Sequence, residues 1–134
     1  MSAYIVDNSV WWKARRFPGI AGRLRTVSTQ DLILTCPPQV LEYCFSARDP
    51  AEHSELQQDM AVFFPADEHP TKDDALAIQT ALWNGGYVRG AGTIDTLIAA
   101  YAIANDAIVL AADHDYDHIA AVVPEFLHEY LPEQ

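Results

Sequence analysis

The sequence predicts an α/β fold: a central parallel sheet with helices on both faces. Short apolar runs suited to buried strands alternate with helical patterns along all 134 residues, as crossover connections between parallel strands require. Two of those runs, 3–6 and 107–112, stop on an aspartate. That is the C-terminal end of a strand, where open α/β folds place their ligands. The length suits one domain, 1–134, with a real core, and no repeat, low-complexity segment or linker interrupts it.

Tyr4, Ile5 and Val6 open the chain as a buried strand ending on Asp7. Asn8 and Ser9 are both competent caps for a helix through Val10-Trp11-Trp12, which Phe17-Pro18-Gly19 breaks. A second, more basic helix is expected from about 20 to 27. Leu32-Ile33-Leu34-Thr35-Cys36 reads as the second strand. Pro37-Pro38 suits the first turn of a helix carrying Val40, Leu41, Cys44 and Phe45. Glu42 lies either on the side of that helix or on its apolar face. Asp49-Pro50 starts a helix to about Met60, and Val62-Phe63-Phe64 is a short strand candidate.

Thr71 and Asp74 stand at capping-box spacing, and their helix runs through Ala75, Ile78, Leu82 and Trp83 to Gly85-Gly86. After a glycine-containing loop, Ile94, Leu97, Ile98 and Tyr101 recur at helical spacing. Asp95 sits in the first turn of that helix, where it either favours the helix dipole or serves as a ligand. Asn105-Asp106 closes the helix, and the strand at 107–112 runs into Asp113. A loop and short helix follow, and 125–131 gives a final strand or a tail.

The formal net charge of −11 argues against generic binding to nucleic acid or anionic membrane. Five of the eight Lys and Arg nevertheless cluster at Lys13, Arg15, Arg16, Arg23 and Arg25, as a solvated helical face or a binding patch. Cys36 and Cys44, if on one helix, lie roughly 12 Å apart, beyond disulfide reach. The first residues lack the basic start and long apolar stretch of a signal peptide, and no apolar run approaches a membrane span. A reduced cytoplasmic location and no membrane partner are expected.

Several motifs fail. Asp113-x-Asp115-x-Asp117 suggests a calcium loop, but the positions requiring glycine and glutamate are His118 and Pro124. A haloacid-dehalogenase-like phosphatase would want a second aspartate where Ser9 stands. His114 and His118 are four apart without the glutamate of a zincin helix, and surface histidines are expected. There is no Gly-x-Ser-x-Gly and no phosphate-binding glycine loop after a strand. What remains is Asp7, Glu42, Asp95 and Asp113. Together they have the oxygen-rich chemistry that Mg²⁺ or Mn²⁺ prefers.

Four segments carry a family resemblance: Ile5-Val6-Asp7-Asn8-Ser9-Val10, Pro38-x-x-Leu41-Glu42-Tyr43, Asp95-x-x-Ile98-Ala99-Ala100, and Leu110-x-x-Asp113-x-Asp115-Tyr116-x-x-Ile119. In their order and spacing the chain resembles PIN-domain proteins, specifically VapC-type toxins of bacterial toxin–antitoxin pairs. The resemblance implies a PIN-like parallel sheet sandwiched by helices and a metal-dependent endoribonuclease. It makes Asp7, Glu42, Asp95 and Asp113 the acidic quartet that holds Mg²⁺ or Mn²⁺, with Asp115 a frequent fifth member, and Ser9 the support of the first aspartate. It also implies an RNA substrate, a homodimer and a cognate VapB-type antitoxin. Two positions depart from the family: Asn8 replaces the usual Thr or Ser, and Tyr116 the usual Phe. Asp117 falls outside the pattern as a surface charge. RNA backbone contacts are expected in the Lys13 to Arg25 segment. The rival readings are a non-catalytic PIN-like binding module and another metal-dependent phosphohydrolase.

Overall fold

Strand β1 (Ala3–Val6) is the middle of the sheet in the computed structural model, which describes residues 1–134. On one side it pairs with β2 (Leu32–Thr35), which pairs with the two-residue β3 (Phe64–Pro65). On the other it pairs with β4 (Ala107–Ala111), followed by β5 (Leu127–Tyr130). All four pairings are parallel, in the order β3-β2-β1-β4-β5. The chain thus builds outward from β1 to β3, then crosses back to lay β4 against the other side of β1. The β1/β4 boundary is where the strand order reverses, and there a crevice opens beyond the strands' C-terminal ends.

Alternation along the strands sorts the core into two layers. Ile5, Ala107, Val109 and Ala111 face α5 (Lys72–Asn84), α6 (Thr93–Ala104) and α7 (Asp117–Val122), where Ile78, Leu82, Ile98, Ala99 and Ile119 are buried. Tyr4, Val6, Ile33 and Leu110 face α1 (Asn8–Lys13) and α2 (Pro18–Gln30) through Val10, Ile20 and Val27. The expected helices on both faces are present. A smaller cluster of Tyr43, Cys44, Leu56 and Met60 joins α3 (Pro37–Phe45) to α4 (Pro50–Ala61).

Local chemistry explains most boundaries. Thr71 and Asp74 form the capping box of α5, and Asp49 accepts from the Glu52 N–H at the start of α4. At the end of α6, Asp106 adopts φ 51°, a left-handed turn that a short polar side chain tolerates. Cys36 and Cys44 are free and buried in different clusters, in keeping with the absence of a bridge.

Four expectations are corrected. The cap of α1 is Asp7, whose carboxylate accepts from the Ser9 N–H, rather than Asn8 or Ser9. Helix α2 extends to Gln30, three residues further than its apolar pattern reached. The third strand is Phe64–Pro65 because Val62 caps α4 and is not free to pair. On α3 the buried residues are Pro38, Gln39, Tyr43 and Cys44, so Leu41 and Phe45 stand 71% and 88% exposed. Glu42 lies on that outward side.

Candidate active site

Asp7 is the first residue beyond β1, and its N–H continues the ladder to the Leu110 carbonyl at 2.9 Å. Asp113 follows β4 by two residues, across that same boundary. Asp95 stands in the first turn of α6, and Glu42 projects from α3. These four, with Asp115, line one open pocket of about 360 Å³, together with Asn8, Ser9, Trp12 and Lys13. All five acidic residues picked from the sequence are therefore brought together. Asp117 is not among them, and instead pairs with His114 at 2.9 Å.

Each carboxylate is held differently. Asp7 is 4% exposed and fully engaged. Its Oδ2 accepts from the Ser9 N–H at 3.0 Å and the Ser9 hydroxyl at 2.6 Å, while its Oδ1 accepts from the Tyr116 hydroxyl at 2.8 Å. Ser9 is itself aimed by the Ala112 N–H, which donates to its Oγ at 3.0 Å. Glu42 accepts from the Asn8 side-chain amide at 2.8 Å. That amide also donates to the Gln39 carbonyl, and the Gln39 amide donates back to Asn8 Oδ1 at 3.2 Å. Asp113 Oδ1 accepts from the Asp115 N–H at 3.1 Å.

Asp95 has no such partner, and it shows the strain of the group. Burial, then repulsion from Asp7, Asp115, Glu42 and Asp113, pushes its carboxyl up to about 7. Burial and the neighbouring Asp115 charge also raise Asp113, against the lowering effect of the Asp115 N–H and Lys13. Tyr116 is raised well above its ordinary value, mainly by burial and then by Asp7, so its hydroxyl remains a donor to Asp7 throughout the accessible pH range.

The donor set is all oxygen and anionic, which fits a hard cation such as Mg²⁺. No three acidic, histidine or cysteine side chains are already gathered closely enough to enclose an ion. Mg²⁺ does not demand that: it keeps several waters and is bound through one or two carboxylates plus substrate phosphates. The histidines contribute no ligand pattern. His114 stacks on Tyr130 and His118 on Tyr87, so their four-residue spacing leads to different partners. A separate apolar pocket of about 300 Å³ between α5, α6 and α7 lies away from the acidic group.

Sequence reasoning missed the roles of two supporting residues. Asn8 and Tyr116, the two departures from the family pattern, each donate to one of the carboxylates. Lys13 reaches the pocket as well, whereas Arg23 is committed elsewhere. Arg23 pairs with Glu129 at 2.7 Å and donates to the Tyr4 hydroxyl, and it is not among the residues lining the acidic pocket. Replacing Tyr116 with Phe should keep the fold and lower any cleavage at this site by about ten- to a hundredfold, since a hydrogen bond to a charged carboxylate is worth about 1.5–3 kcal/mol. Single-turnover rates of the two proteins check this.

No family model matches the sequence, and no curated protein matches it. Solved structures do. The structure of VapBC2 from Rickettsia felis bound to a promoter DNA fragment matches with a TM-score of 0.72 at 14% identity, over 96% of this chain and 98% of that one. DNA-bound VapBC from Salmonella typhimurium gives 0.70 at 13% identity, over 97% and 98%. VapBC-5 of Mycobacterium tuberculosis, from the VapBC family of toxin–antitoxin systems, gives 0.58 at 19% identity, over 98% and 99%. The chain has the PIN-type fold seen in these toxin–antitoxin structures, along essentially its whole length.

Proposed function

We propose that the chain is a Mg²⁺- or Mn²⁺-dependent endoribonuclease toxin of the VapC type, neutralised by a cognate VapB-type antitoxin. The observation that carries this reading is the convergence of five carboxylates at the β1/β4 boundary, with Asp95 raised to about 7. A carboxylate so placed holds a proton in place of a cation, and gives it up when a cation binds. Of Asp7, Glu42, Asp95, Asp113 and Asp115, one or two would bind Mg²⁺ directly and the others through its waters. Bound there, it supplies activation of water near neutral pH and neutralises charge developing on the phosphate. Ser9 and Tyr116 fix both oxygens of Asp7, and Asn8 fixes Glu42, so two of the carboxylates need no reordering.

The toxin role and the antitoxin draw on the fold shared with VapBC complexes. An Arg or Lys from a partner would pair with this pocket's negative charge and exclude RNA. A second copy of the chain, forming a homodimer, belongs to the same reading. No helix is long and apolar enough to cross a membrane. The test is co-expression with the product of the adjacent short upstream reading frame. A stable complex with suppressed cleavage of RNA, and no cleavage of DNA of the same sequence by the free protein, is expected. Free protein that stays active with that product in excess would remove the antitoxin from the reading.

A further inference from the structure

Lys13 is the only cation lining the acidic pocket, and its surroundings are not those of a simple counter-charge. Its ammonium donates to the Ala112 carbonyl at 2.7 Å and pairs with Glu133 at 3.1 Å. It forms no ion pair with any of the five pocket carboxylates; Glu133 is its sole carboxylate partner. Glu133 comes from the C-terminal segment, which is anchored where the Leu131 N–H meets the Ala111 carbonyl and the Gly19 N–H meets Gln134. A lysine ammonium has three donors. One is spent on the Ala112 carbonyl, and the Glu133 carboxylate lies beside the ammonium at 3.1 Å at the pocket rim. An ammonium that merely balanced the acidic group would collapse onto one of its carboxylates. One held by a main-chain carbonyl and a glutamate from outside the pocket stays at the rim, within reach of an anion that arrives from outside.

We infer that Lys13 binds a backbone phosphate of RNA at the rim of the acidic pocket and so positions the strand for cleavage. The inference rests on the nuclease reading of that pocket. It also gives the acidic face its cationic foothold. Arg15, two residues on, lies with its guanidinium 5.3 Å from the Trp12 ring centroid and lines the adjoining groove, in line with a strand leaving the pocket past Trp12.

The test separates binding from cleavage. A labelled single-stranded RNA is titrated into Asp95→Asn alone and combined with Lys13→Gln, Lys13→Arg or Arg23→Gln, over a range of salt concentrations. Lys13→Gln should weaken binding about fivefold and flatten the slope of log K against log salt by roughly 0.7, the loss of one phosphate contact on a single strand. Lys13→Arg should restore the slope, and Arg23→Gln should leave it alone. In the protein that keeps Asp95, Lys13→Gln should raise KM and, with the strand no longer positioned, also lower kcat. An unchanged slope in Lys13→Gln, or no rescue by Lys13→Arg, overturns the inference. Should Lys13→Gln fail to fold, Glu133→Gln decides. It removes the anion that competes for the Lys13 ammonium, so RNA affinity should rise about twofold, and unchanged affinity counts against Lys13. A protein that binds RNA through Lys13 yet never cleaves it defeats the nuclease reading alone. Cleavage with a Lys13-independent slope defeats this inference alone.

Discussion

Asp95→Asn is expected to reduce Mg²⁺-dependent RNA cleavage by on the order of a hundred- to a thousandfold while leaving the fold intact. The swap keeps the side chain's shape and removes a negative charge at the first turn of α6, beside Asp7 and Asp113. Asp7→Asn and Asp113→Asn should fall as far. In Asp7→Asn the side-chain amide would also turn a donor toward Ser9 or Tyr116, both of which now donate to that position. Asp117→Asn should change little, because that residue faces His114 outside the pocket. Cleavage measured with proteins prepared identically, with and without chelator, decides the matter. Equal rates for wild type and Asp95→Asn would assign the activity to a contaminant.

The second large effect is on stability, and its sign is opposite. The folded chain keeps a proton on Asp95 up to about pH 7, whereas the carboxyl's ordinary value is 3.8. Between those values the folded state binds more protons than the unfolded one, so this group's contribution worsens as pH rises from about 4 to 7 and then levels off. Three pH units correspond to about 4 kcal/mol, and solvent around a partly exposed carboxylate reduces that to roughly 2 kcal/mol. Asp95→Asn should therefore melt about 8 °C above wild type at pH 8 without metal, and close to it at pH 4. Added Mg²⁺ should raise the wild-type Tm and move the variant's much less. Equal metal shifts in the two proteins would mean that Asp95 does not share a site with the other carboxylates.

The strands and acidic positions were readable because each depends on near neighbours in sequence. An apolar run stopping on Asp7 or nearing Asp113 needs no knowledge of the rest of the chain. Failures came where distant partners decide. Gln39 is buried on α3 because its amide meets Asn8, 31 residues away, which helps turn Leu41 and Phe45 outward against the apolar pattern. Val62-Phe63-Phe64 had the composition of a strand, but α4 claims Val62 as its cap and only Phe64 and Pro65 find register with Leu34 and Thr35. Within the site, Tyr116 reaches Asp7 across 109 residues and Lys13 reaches Ala112 across 99. Contacts of that span leave no local signal. Asn8 and Tyr116 could have been flagged only as departures from the family, without a role.

The brevity of β3 also bears on how copies of this chain meet in concentrated solution. An outer strand normally offers a row of unpaired backbone groups on which a foreign strand can grow. Here that margin is two residues long, and the second is Pro65, which has no N–H to offer. Intermolecular sheet growth is thereby blocked on the β3 flank and left to β5, where Leu127 is half exposed on the opposite margin. Aggregation during overproduction should begin at β5, and a lysine at Leu127 is the substitution to suppress it.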